Sequence, residues 1–531
     1  MTKKIAAVLC CFTVFSLLFA QESDFADLEE ETQTQSKFDP ALQRTFIMAA
    51  SPAKLELNPL LSNYSNEAQI INSLQEGLFN YNPNTLEPVP ALAKSYKISR
   101  DKKRWTFVIR NDARFSDGTP ITAQSVIDSW LALQKTPGAP YASLIDCISG
   151  IKEYRETKGQ HTQVGLKAKG QTLTVTLKTP AAHLSRLLCH HAFSVYSGNP
   201  EVFSGPYTVK ENTDEKLVLT KNEQYWDKDN VAIKEIDIQF VEDKADAAWL
   251  FNTGRTDWIY SNLDASKILN KDSIRISAVF GTSYYFFTCR NPVWDNSEFR
   301  NALLAAAPWT KLREGLISPA VSLVYPLAGY PQVEGLSETN EEEALELMET
   351  AREKAGIPQD KILDLTFGIA DNEYMMEVAL KLREAWAPLG VNLIPFKIKE
   401  DLYLNSIPYL KYDLFCYSWI GDFADPLTFL ELFKEGSTLN TTDWHNEKFN
   451  QLLKTAEETT DQVQRYKLLS QAEQVLLDDG MILPIGHSVS LHAINPKEIG
   501  GWYTNALDIH PFKYLFFKEY EGVQAPNIVK R

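Results

Sequence analysis

Apolar and polar positions alternate with two different periods along the chain. In Trp105–Arg110 and Thr172–Leu177 the alternation follows the two-residue period of a strand that buries one face. The turn sequence Asp117–Pro120 leads to an amphipathic segment, and a helix is predicted there from about Ala123 to Leu133. Strand and helix patterns therefore lie close together, which indicates mixed α and β structure.

A complete strand–helix–strand unit is predicted in the second half of the chain. Ile362–Ile369 and Val391–Ile398 are short apolar runs typical of strands, and Asn372–Trp386 between them has apolar residues at helical spacing. Pro388 and Gly390 end the helix. Short connections of this kind join two parallel strands through a crossover helix, so the unit predicts a parallel pair.

Further helices are predicted on both sides of this unit. Asn340 precedes three consecutive glutamates, so a capping side chain and three carboxylates meet the positive end of a helix. Gly356 and Pro358 end that helix. Phe449–Ala456 and Tyr466–Leu477 carry the same amphipathic spacing. The predicted fold class is therefore α/β with mixed sheets.

The start of the chain has a different pattern and is expected to be removed. Two lysines precede the uncharged apolar run Ile5–Ala20, which is the pattern of a cleavable secretory signal peptide over 1–20. Cys10 and Cys11 lie inside that segment, so no lipoprotein anchor is predicted. Residues 21–37 are acidic with almost no apolar side chains, which indicates a disordered acidic leader.

Length and composition limit the class of protein. The chain has 531 residues, of which 44% are hydrophobic, and this excludes a disordered or fibrous protein. A single hydrophobic core stops growing at roughly 250–300 residues, so two or three folded units or one multi-lobed body are expected. The net charge of −16 would repel phosphate groups, and we therefore exclude nucleic acid as a main partner.

The sequence offers little that indicates catalysis or metal binding. It contains no dinucleotide-binding glycine motif, P-loop, zinc-protease motif or nucleophile elbow. The cluster Cys189–His191, with His183 nearby, is interpreted as packing and surface, because consecutive residues of a helix point in different directions. Asp478–Gly480 is interpreted as a solvated helix end. We therefore predict no catalytic residues, no cofactor, no metal and no enzymatic activity.

Four cysteines lie beyond the predicted signal peptide. They are too few for a disulfide scaffold and too widely spaced for a zinc ribbon or a redox pair. One or two bridges remain open, and the sequence does not choose among the pairings of Cys147, Cys189, Cys289 and Cys416.

Several long segments resemble one protein family. Glu76–Trp130 is similar, nearly in full, to the most recognisable segment of the periplasmic oligopeptide- and dipeptide-binding proteins of ABC importers, extracellular solute-binding protein family 5. Further similar segments occur in the order found in the family: Ala139–Leu144, Ser204–Val209, Asn222–Asp227, Tyr284–Leu303 and Tyr412–Leu430.

The resemblance implies a two-lobed periplasmic binding protein fold, class II and type C-like, with mixed sheets, an accessory domain and a hinge of two crossing strands. By analogy, lobe I takes 38–75, 204–279 and 494–531, its accessory domain takes 76–203, and lobe II takes 280–493. The implied partners are short peptides and the membrane permease of an ABC importer, and the implied location is the periplasm. A monomer is expected.

The resemblance also implies a set of ligand-binding residues. Family members hold the α-ammonium of a peptide with the aspartate of a W-x-x-D-x-x-[ED]-P string, and in Trp419–Pro426 that position is Asp422. A buried ammonium must be paired, and a carboxylate supplies a charge-assisted hydrogen bond. Asp425, before Pro426, is the better candidate for capping the next helix. The remaining predicted ligand-binding residues are Tyr64, Ser65, Tyr141, Cys416, Tyr417, Ser418 and Trp419.

Two departures from the family pattern affect the expected specificity. Cys416 stands where some members have an arginine that helps to hold the ligand, so the anchor for the peptide carboxylate is left open. Gly281 and Ile420 stand at the positions of a cysteine pair found in one subgroup. A non-peptide cargo, such as a nickel chelate, haem, an opine or a sugar, is the alternative within the same fold.

Overall fold

The structure is a computed structural model that describes residues 44–157, 163–181, 183–423 and 425–518. The predicted signal peptide and acidic leader lie outside these described residues. No helix in the described ranges combines the length and the apolar character that crossing a membrane requires.

The strands of the described residues are numbered here in chain order. They are β1 Phe46–Ala50, β2 Phe79–Tyr81, β3 Pro88–Pro90, β4 Ala93–Ile98, β5 Arg104–Ile109, β6 Leu166–Lys169, β7 Thr172–Thr176, β8 Tyr207–Asn212, β9 Lys216–Lys221, β10 Glu235–Phe240, β11 Trp258–Ile259, β12 Ile274–Phe287, β13 Leu363–Ala370, β14 Val391–Ile398, β15 Leu414–Ile420, β16 Ile482–Ile494, β17 Ile499–Gly500 and β18 Phe516–Phe517.

The α-helices are numbered in the same way. They are α1 Ser65–Leu74, α2 Ala123–Lys135, α3 Ile151–Glu156, α4 Leu184–Leu187, α5 Lys244–Asn252, α6 Pro292–Asp295, α7 Ser297–Ala305, α8 Trp309–Leu312, α9 Glu341–Ala355, α10 Glu373–Trp386, α11 Tyr403–Ser406, α12 Leu427–Leu430, α13 Glu447–Glu458 and α14 Gln462–Asp478.

A ten-stranded mixed sheet organises the fold, with the order β14-β13-β15-β12-β16-β11-β1-β10-β9-β8. The long strands β12 and β16 run antiparallel in its middle and connect its two ends. Their register shifts between Ala278 and Thr282, where the pairing is irregular. β13 and β14 pair in parallel on either side of α10, so the predicted strand–helix–strand unit is confirmed.

A second sheet of four strands, in the order β4-β5-β7-β6, lies in the segment that precedes β8. Buried apolar residues form one large cluster that includes this segment and the segment from β12 to β16. A separate cluster contains Phe46, Tyr207, Trp258 and Phe512, which come from distant parts of the chain. Each end of the ten-stranded sheet therefore packs against its own core.

The helix caps follow the sequence predictions. The Asn340 side chain accepts a hydrogen bond from the Glu343 N–H at the start of α9, and Gly356 ends that helix in the left-handed conformation, with φ of 66°. Asn372 caps α10 in the same way. Asp425 Oδ1 accepts a hydrogen bond from the Leu427 N–H at 3.0 Å, so its predicted capping role is confirmed.

The helix ends at Asp478, as predicted, but the interpretation of Asp479 as merely solvated was wrong. Its carboxylate accepts hydrogen bonds from Arg300 Nη2 at 2.7 Å and from Trp444 Nε1 at 2.5 Å. Arg300 is almost fully buried, and a buried guanidinium needs such a partner. The four cysteines beyond the predicted signal peptide are free thiols in this structure.

Glu76 forms a buried polar network between distant segments. Tyr225 Oη, Trp226 Nε1 and Asn80 Nδ2 all donate hydrogen bonds to its carboxylate, the last two at 2.6 and 2.8 Å. Burial raises the pKa of Glu76, and the charge of Lys513 opposes that shift. The carboxylate thereby satisfies three side-chain donors that the fold removes from water.

We expect Glu76→Gln to lower the free energy of unfolding by about 1–2 kcal/mol, because three charge-assisted hydrogen bonds become neutral and one acceptor oxygen is lost. Denaturant titration measures the change. The matched control is Glu223→Gln, since Glu223 is exposed and contacts Lys228 only at 3.8 Å. Equal stability of both variants would contradict the assigned role of Glu76.

Candidate ligand-binding cavity

A cavity of about 850 Å³ is lined by residues from distant parts of the sequence. Its walls include the start of α1, the segment after α2, the end of β15 and the loop 507–509. Polar and aromatic side chains are mixed with apolar ones along these walls. The volume and the mixed lining are those of a small-molecule or short-peptide site.

The structure brings seven of the eight predicted ligand-binding residues to this cavity. Cys416 is the exception, because it packs against the large apolar cluster and is absent from the cavity wall. The roles of the seven other residues toward a ligand stay predictions. The seven are Tyr64, Ser65, Tyr141, Tyr417, Ser418, Trp419 and Asp422.

Hydrogen bonds to its backbone groups hold Asp422 in place in the loop between β15 and α12. Its N–H donates a hydrogen bond to Thr428 Oγ1 at 2.9 Å, and its carbonyl oxygen accepts one from Tyr81 Oη at 2.9 Å. Thr428 Oγ1 also contacts Asp422 Oδ2 at 3.3 Å. These bonds fix the direction of the carboxylate before any ligand arrives.

The Asp422 carboxylate is buried without a cationic partner among the described residues. Its side chain is 7% exposed, and its nearest charged-type contact is His190 Nε2 at 3.3 Å. Burial raises the pKa of Asp422 to about 7, while the hydrogen bond from Thr428 lowers it less. Burial also lowers the pKa of His190 to about 3, so His190 is neutral at physiological pH.

The contact between His190 and Asp422 is therefore not an ion pair, because the imidazole is neutral. His190 Nδ1 accepts a hydrogen bond from the Ala192 N–H at 3.3 Å, so the ring proton lies on Nε2. This Nε2 atom lies 3.3 Å from Asp422 Oδ1. Neutral His190 does not neutralise the charge of the ionised Asp422 carboxylate. A cation in the cavity would therefore stabilise the ionised form.

The interpretation of Cys189–His191 as packing and surface was wrong in one respect. His190 and His191 are both buried and both line the cavity. The adjacency of His190 and His191 in the sequence does not indicate that they line the cavity. Their position there depends on Asp422, which lies 232 positions after His190 (422 − 190).

One edge of β15 is open toward the cavity. β15 pairs with β12 along its length, but it pairs with β13 only at Leu414. Backbone groups of a strand point alternately to its two sides. Gly421 N–H bonds to the Phe280 carbonyl, so the odd positions face β12, while Cys416 N–H bonds to Tyr403 Oη on the other side. Ser418 and Ile420 are therefore the cavity-lining residues of β15 whose backbone groups face the open edge.

Aromatic rings form a large share of the cavity wall. The rings of Tyr141 and His190 are 4.3 Å apart between centroids, and those of Tyr417 and Trp419 are 6.4 Å apart. Trp419 Nε1 is buried and has no hydrogen-bond acceptor among the described residues. A buried donor without an acceptor is costly.

Two cationic side chains line the cavity, and both already have partners. Arg155 binds the Asp146 carboxylate with two nitrogen atoms, at 2.6 and 2.7 Å. Lys135 Nζ donates hydrogen bonds to the carbonyl oxygens of Tyr154 and Thr157. Neither is a dedicated anchor for a ligand carboxylate.

One group of side chains in the described residues has metal-ligand spacing: His492, Asp508 and His510. The hydrogen bonds do not fit a metal at this group. Trp258 Nε1–H donates to His492 Nδ1 at 3.4 Å, and His492 Nε2 therefore carries the proton that it shares with Asp508. A metal on Nε2 would require a proton on Nδ1, directed at the indole N–H.

Comparison with known proteins finds binding proteins that are similar over most of the chain. The chain is 28% identical over 482 residues to the dipeptide-binding protein DppE of Bacillus subtilis, covering 85% of this chain and 87% of that protein. It is 26% identical over 491 residues to the periplasmic oligopeptide-binding protein OppA of Escherichia coli, covering 86% and 88%. These relatives are named as binding proteins, not as enzymes.

A solved structure gives the same fold. The murein tripeptide binding protein MppA of Escherichia coli superposes with a TM-score of 0.80 at 25% identity, covering 90% of this chain and 99% of that one. The predicted two-lobed α/β fold with mixed sheets is thereby confirmed.

The sequence model of the bacterial extracellular solute-binding proteins, family 5, matches residues 87–440, about two thirds of the chain. The segments that resemble this family in the sequence, from Ala139–Leu144 to Tyr412–Leu430, fall mostly within that match. The chain belongs to the bacterial extracellular solute-binding proteins, family 5.

Proposed function

We propose that this protein is the substrate-binding component of an ABC peptide importer and captures short oligopeptides in the cavity. The observation that carries the proposal is Asp422, a buried carboxylate without a cationic partner among the described residues. A free peptide amino terminus supplies the missing cation, and a buried charge pair of this kind stabilises the complex.

Backbone contacts extend this anchor along the peptide. The open edge of β15 at Ser418 offers a backbone N–H and C=O to an extended chain, which is strand addition. Contacts of this type recognise the backbone that all peptides share, so the side chains of the ligand are free to vary.

A hinge between two lobes would enclose the ligand. We assign the described parts of 38–75, 204–279 and 494–531 to lobe I, those of 76–203 to its accessory domain and those of 280–493 to lobe II. The irregular pairing of β12 with β16 between Ala278 and Thr282 supports a hinge at that boundary, since a bulge weakens the ladder locally.

Closure gives a testable change in shape. We expect the radius of gyration from X-ray scattering to decrease when saturating trialanine is added to ligand-stripped protein, because the peptide binds both lobes. Tryptophan fluorescence should change over the same concentration range. Superimposable scattering curves with and without peptide would contradict hinge closure.

The proposal includes a cellular setting. The protein would be a monomer in the periplasm, would deliver its peptide to the membrane permease of the importer, and would not catalyse a reaction. The curated relative from Escherichia coli is named as periplasmic, and this supports the location.

Calorimetric titration of ligand-stripped protein tests the proposed cargo. Trialanine should bind, whereas nickel–histidine chelate, haem, an opine and a disaccharide should not bind measurably at the same concentrations. Binding of one of these compounds in place of trialanine would support the alternative cargo class.

A further inference from the structure

Besides Asp422 and the exposed Glu56, Asp508 is a further cavity-lining carboxylate, and the contacts proposed above do not use it. Its Oδ1 atom accepts hydrogen bonds from His492 Nε2 at 2.9 Å and from His510 Nε2 at 3.1 Å. No described residue donates a hydrogen bond to Oδ2. Half of the acceptor capacity of the carboxylate is therefore available to a ligand.

The two histidines keep Asp508 ionised. Burial alone would raise the pKa of Asp508, but the hydrogen bonds from His492 and His510 outweigh burial and hold the pKa well below its usual range. Burial lowers the pKa of His510, so this ring donates as a neutral group. The pair of donors supports the negative charge without cancelling it.

The loop that carries Asp508 is fixed before ligand binding. Asn505 Oδ1 accepts hydrogen bonds from the N–H groups of Leu507, at 3.2 Å, and Ile509, at 3.1 Å. The Gln69 side chain accepts a hydrogen bond from the His510 N–H at 3.0 Å, which ties the loop to α1. Asp508 itself has φ of 54°, a left-handed conformation that is strained for most residues and held here by these bonds.

The described cavity wall offers Asp508 no cation. Its cationic side chains, Lys135 and Arg155, are bonded to other groups. Asp508 and Asp422 share no hydrogen-bond partner, because Asp508 bonds to His492 and His510 while Asp422 bonds to Thr428. The cavity therefore presents two carboxylates, each held by its own partners, that have no cationic partner among the described residues.

We propose that Asp508 binds a second cationic group of the ligand, the ammonium or guanidinium of a lysine or arginine side chain, so that the cavity prefers basic peptides. This inference rests on the proposed peptide-binding function and adds a substrate class to it.

Tripeptides that differ only in one charge test the inference. We would measure affinities for Ala-Lys-Ala and Ala-Ala-Lys, and for the same peptides with norleucine in place of lysine, by calorimetry at pH 7.5. Norleucine keeps the aliphatic chain and removes the ammonium. In the wild-type protein, lysine should raise the affinity about tenfold or more at one of the two positions, a gain of about 1.4 kcal/mol.

The variant Asp508→Asn assigns the preference to this carboxylate. Its ratio of lysine to norleucine affinity should fall below about threefold, while norleucine peptides bind as to wild type. Asp508→Ser, whose hydroxyl still accepts a hydrogen bond from the histidines, replaces it if the asparagine variant does not fold. The matched control Asp229→Asn removes an exposed carboxylate outside the cavity and should keep the wild-type ratio.

Two results would overturn the inference: a wild-type ratio below about threefold at both positions, or a preference that Asp508→Asn retains. Failure of the inference and failure of the proposed function are distinguishable. If no tripeptide of the panel binds, the proposed peptide-binding function fails. If all four bind with similar affinity, only the role of Asp508 fails.

Discussion

We expect Asp422→Asn to bind trialanine about 100-fold more weakly than the wild-type protein, a loss of about 2.7 kcal/mol. Asparagine has nearly the shape of aspartate, and its oxygen can still accept the hydrogen bond from Thr428 Oγ1. The variant lacks the negative charge that the ammonium group of the peptide requires, and its amide donates where the ligand also donates. Calorimetry with ligand-stripped protein measures the change.

Two controls separate this effect from damage to the fold. Asp112→Asn removes an exposed carboxylate that does not line the cavity, and it should leave the affinity unchanged. N-acetyl-trialanine has no ammonium group, so it should bind wild-type protein about as weakly as trialanine binds Asp422→Asn. Equal affinity of acetylated and free trialanine for wild-type protein would refute the role of Asp422.

Peptide affinity should fall steeply as the pH drops below 7. The ionised form of Asp422 binds the ammonium group, and burial raises the pKa of this carboxyl to about 7 in the ligand-free protein. The fraction ionised then falls about 80-fold between pH 7.5 and pH 5, and the affinity should fall with it. Protonation of the peptide amino group, with a pKa of about 8, opposes this change by less than about twofold.

The groups around Asp422 do not titrate in this range. Burial lowers the pKa of His190 to about 3, and burial raises the pKa values of Tyr81 and Tyr141 well above their ordinary value. Titrations of wild type at several pH values measure the effect, and the Asp422→Asn variant should lose most of it. An affinity that stays constant from pH 7.5 to pH 5 would contradict the assignment.

Local pattern predicted the elements well where one short segment determines the structure. The unit of β13, α10 and β14 follows from two apolar runs with a helical period between them, and the caps at Asn340 and Asn372 follow from single side chains. Both kinds of signal act within a few residues, so the sequence contains them directly.

The surroundings of the site could not be predicted in this way. The contact of His190 with Asp422 joins residues far apart in the sequence, and it exists only because two separate segments meet at the cavity. Asp479 was misjudged for the same reason, since its partners Arg300 and Trp444 belong to other elements. His492 and Asp508 likewise come together only in the folded chain. Long-range contacts of this type leave no periodic pattern in the sequence.

The resemblance to the family supplied what periodicity could not. It led to Asp422 and to the residues of β15, and seven of the eight residues that it implied line one cavity. It did not account for Cys416, whose N–H already bonds to Tyr403 Oη.

Capture from a peptide mixture tests the central claim most directly. Ligand-stripped protein would be incubated with a tryptic digest, separated from unbound material and analysed by mass spectrometry, in parallel with the same digest after N-acetylation. We expect the protein to retain short peptides of varied sequence from the untreated digest and almost none from the acetylated one. Retention of no peptide, or equal retention from both digests, would contradict a peptide-binding protein that holds its ligand by the free amino terminus.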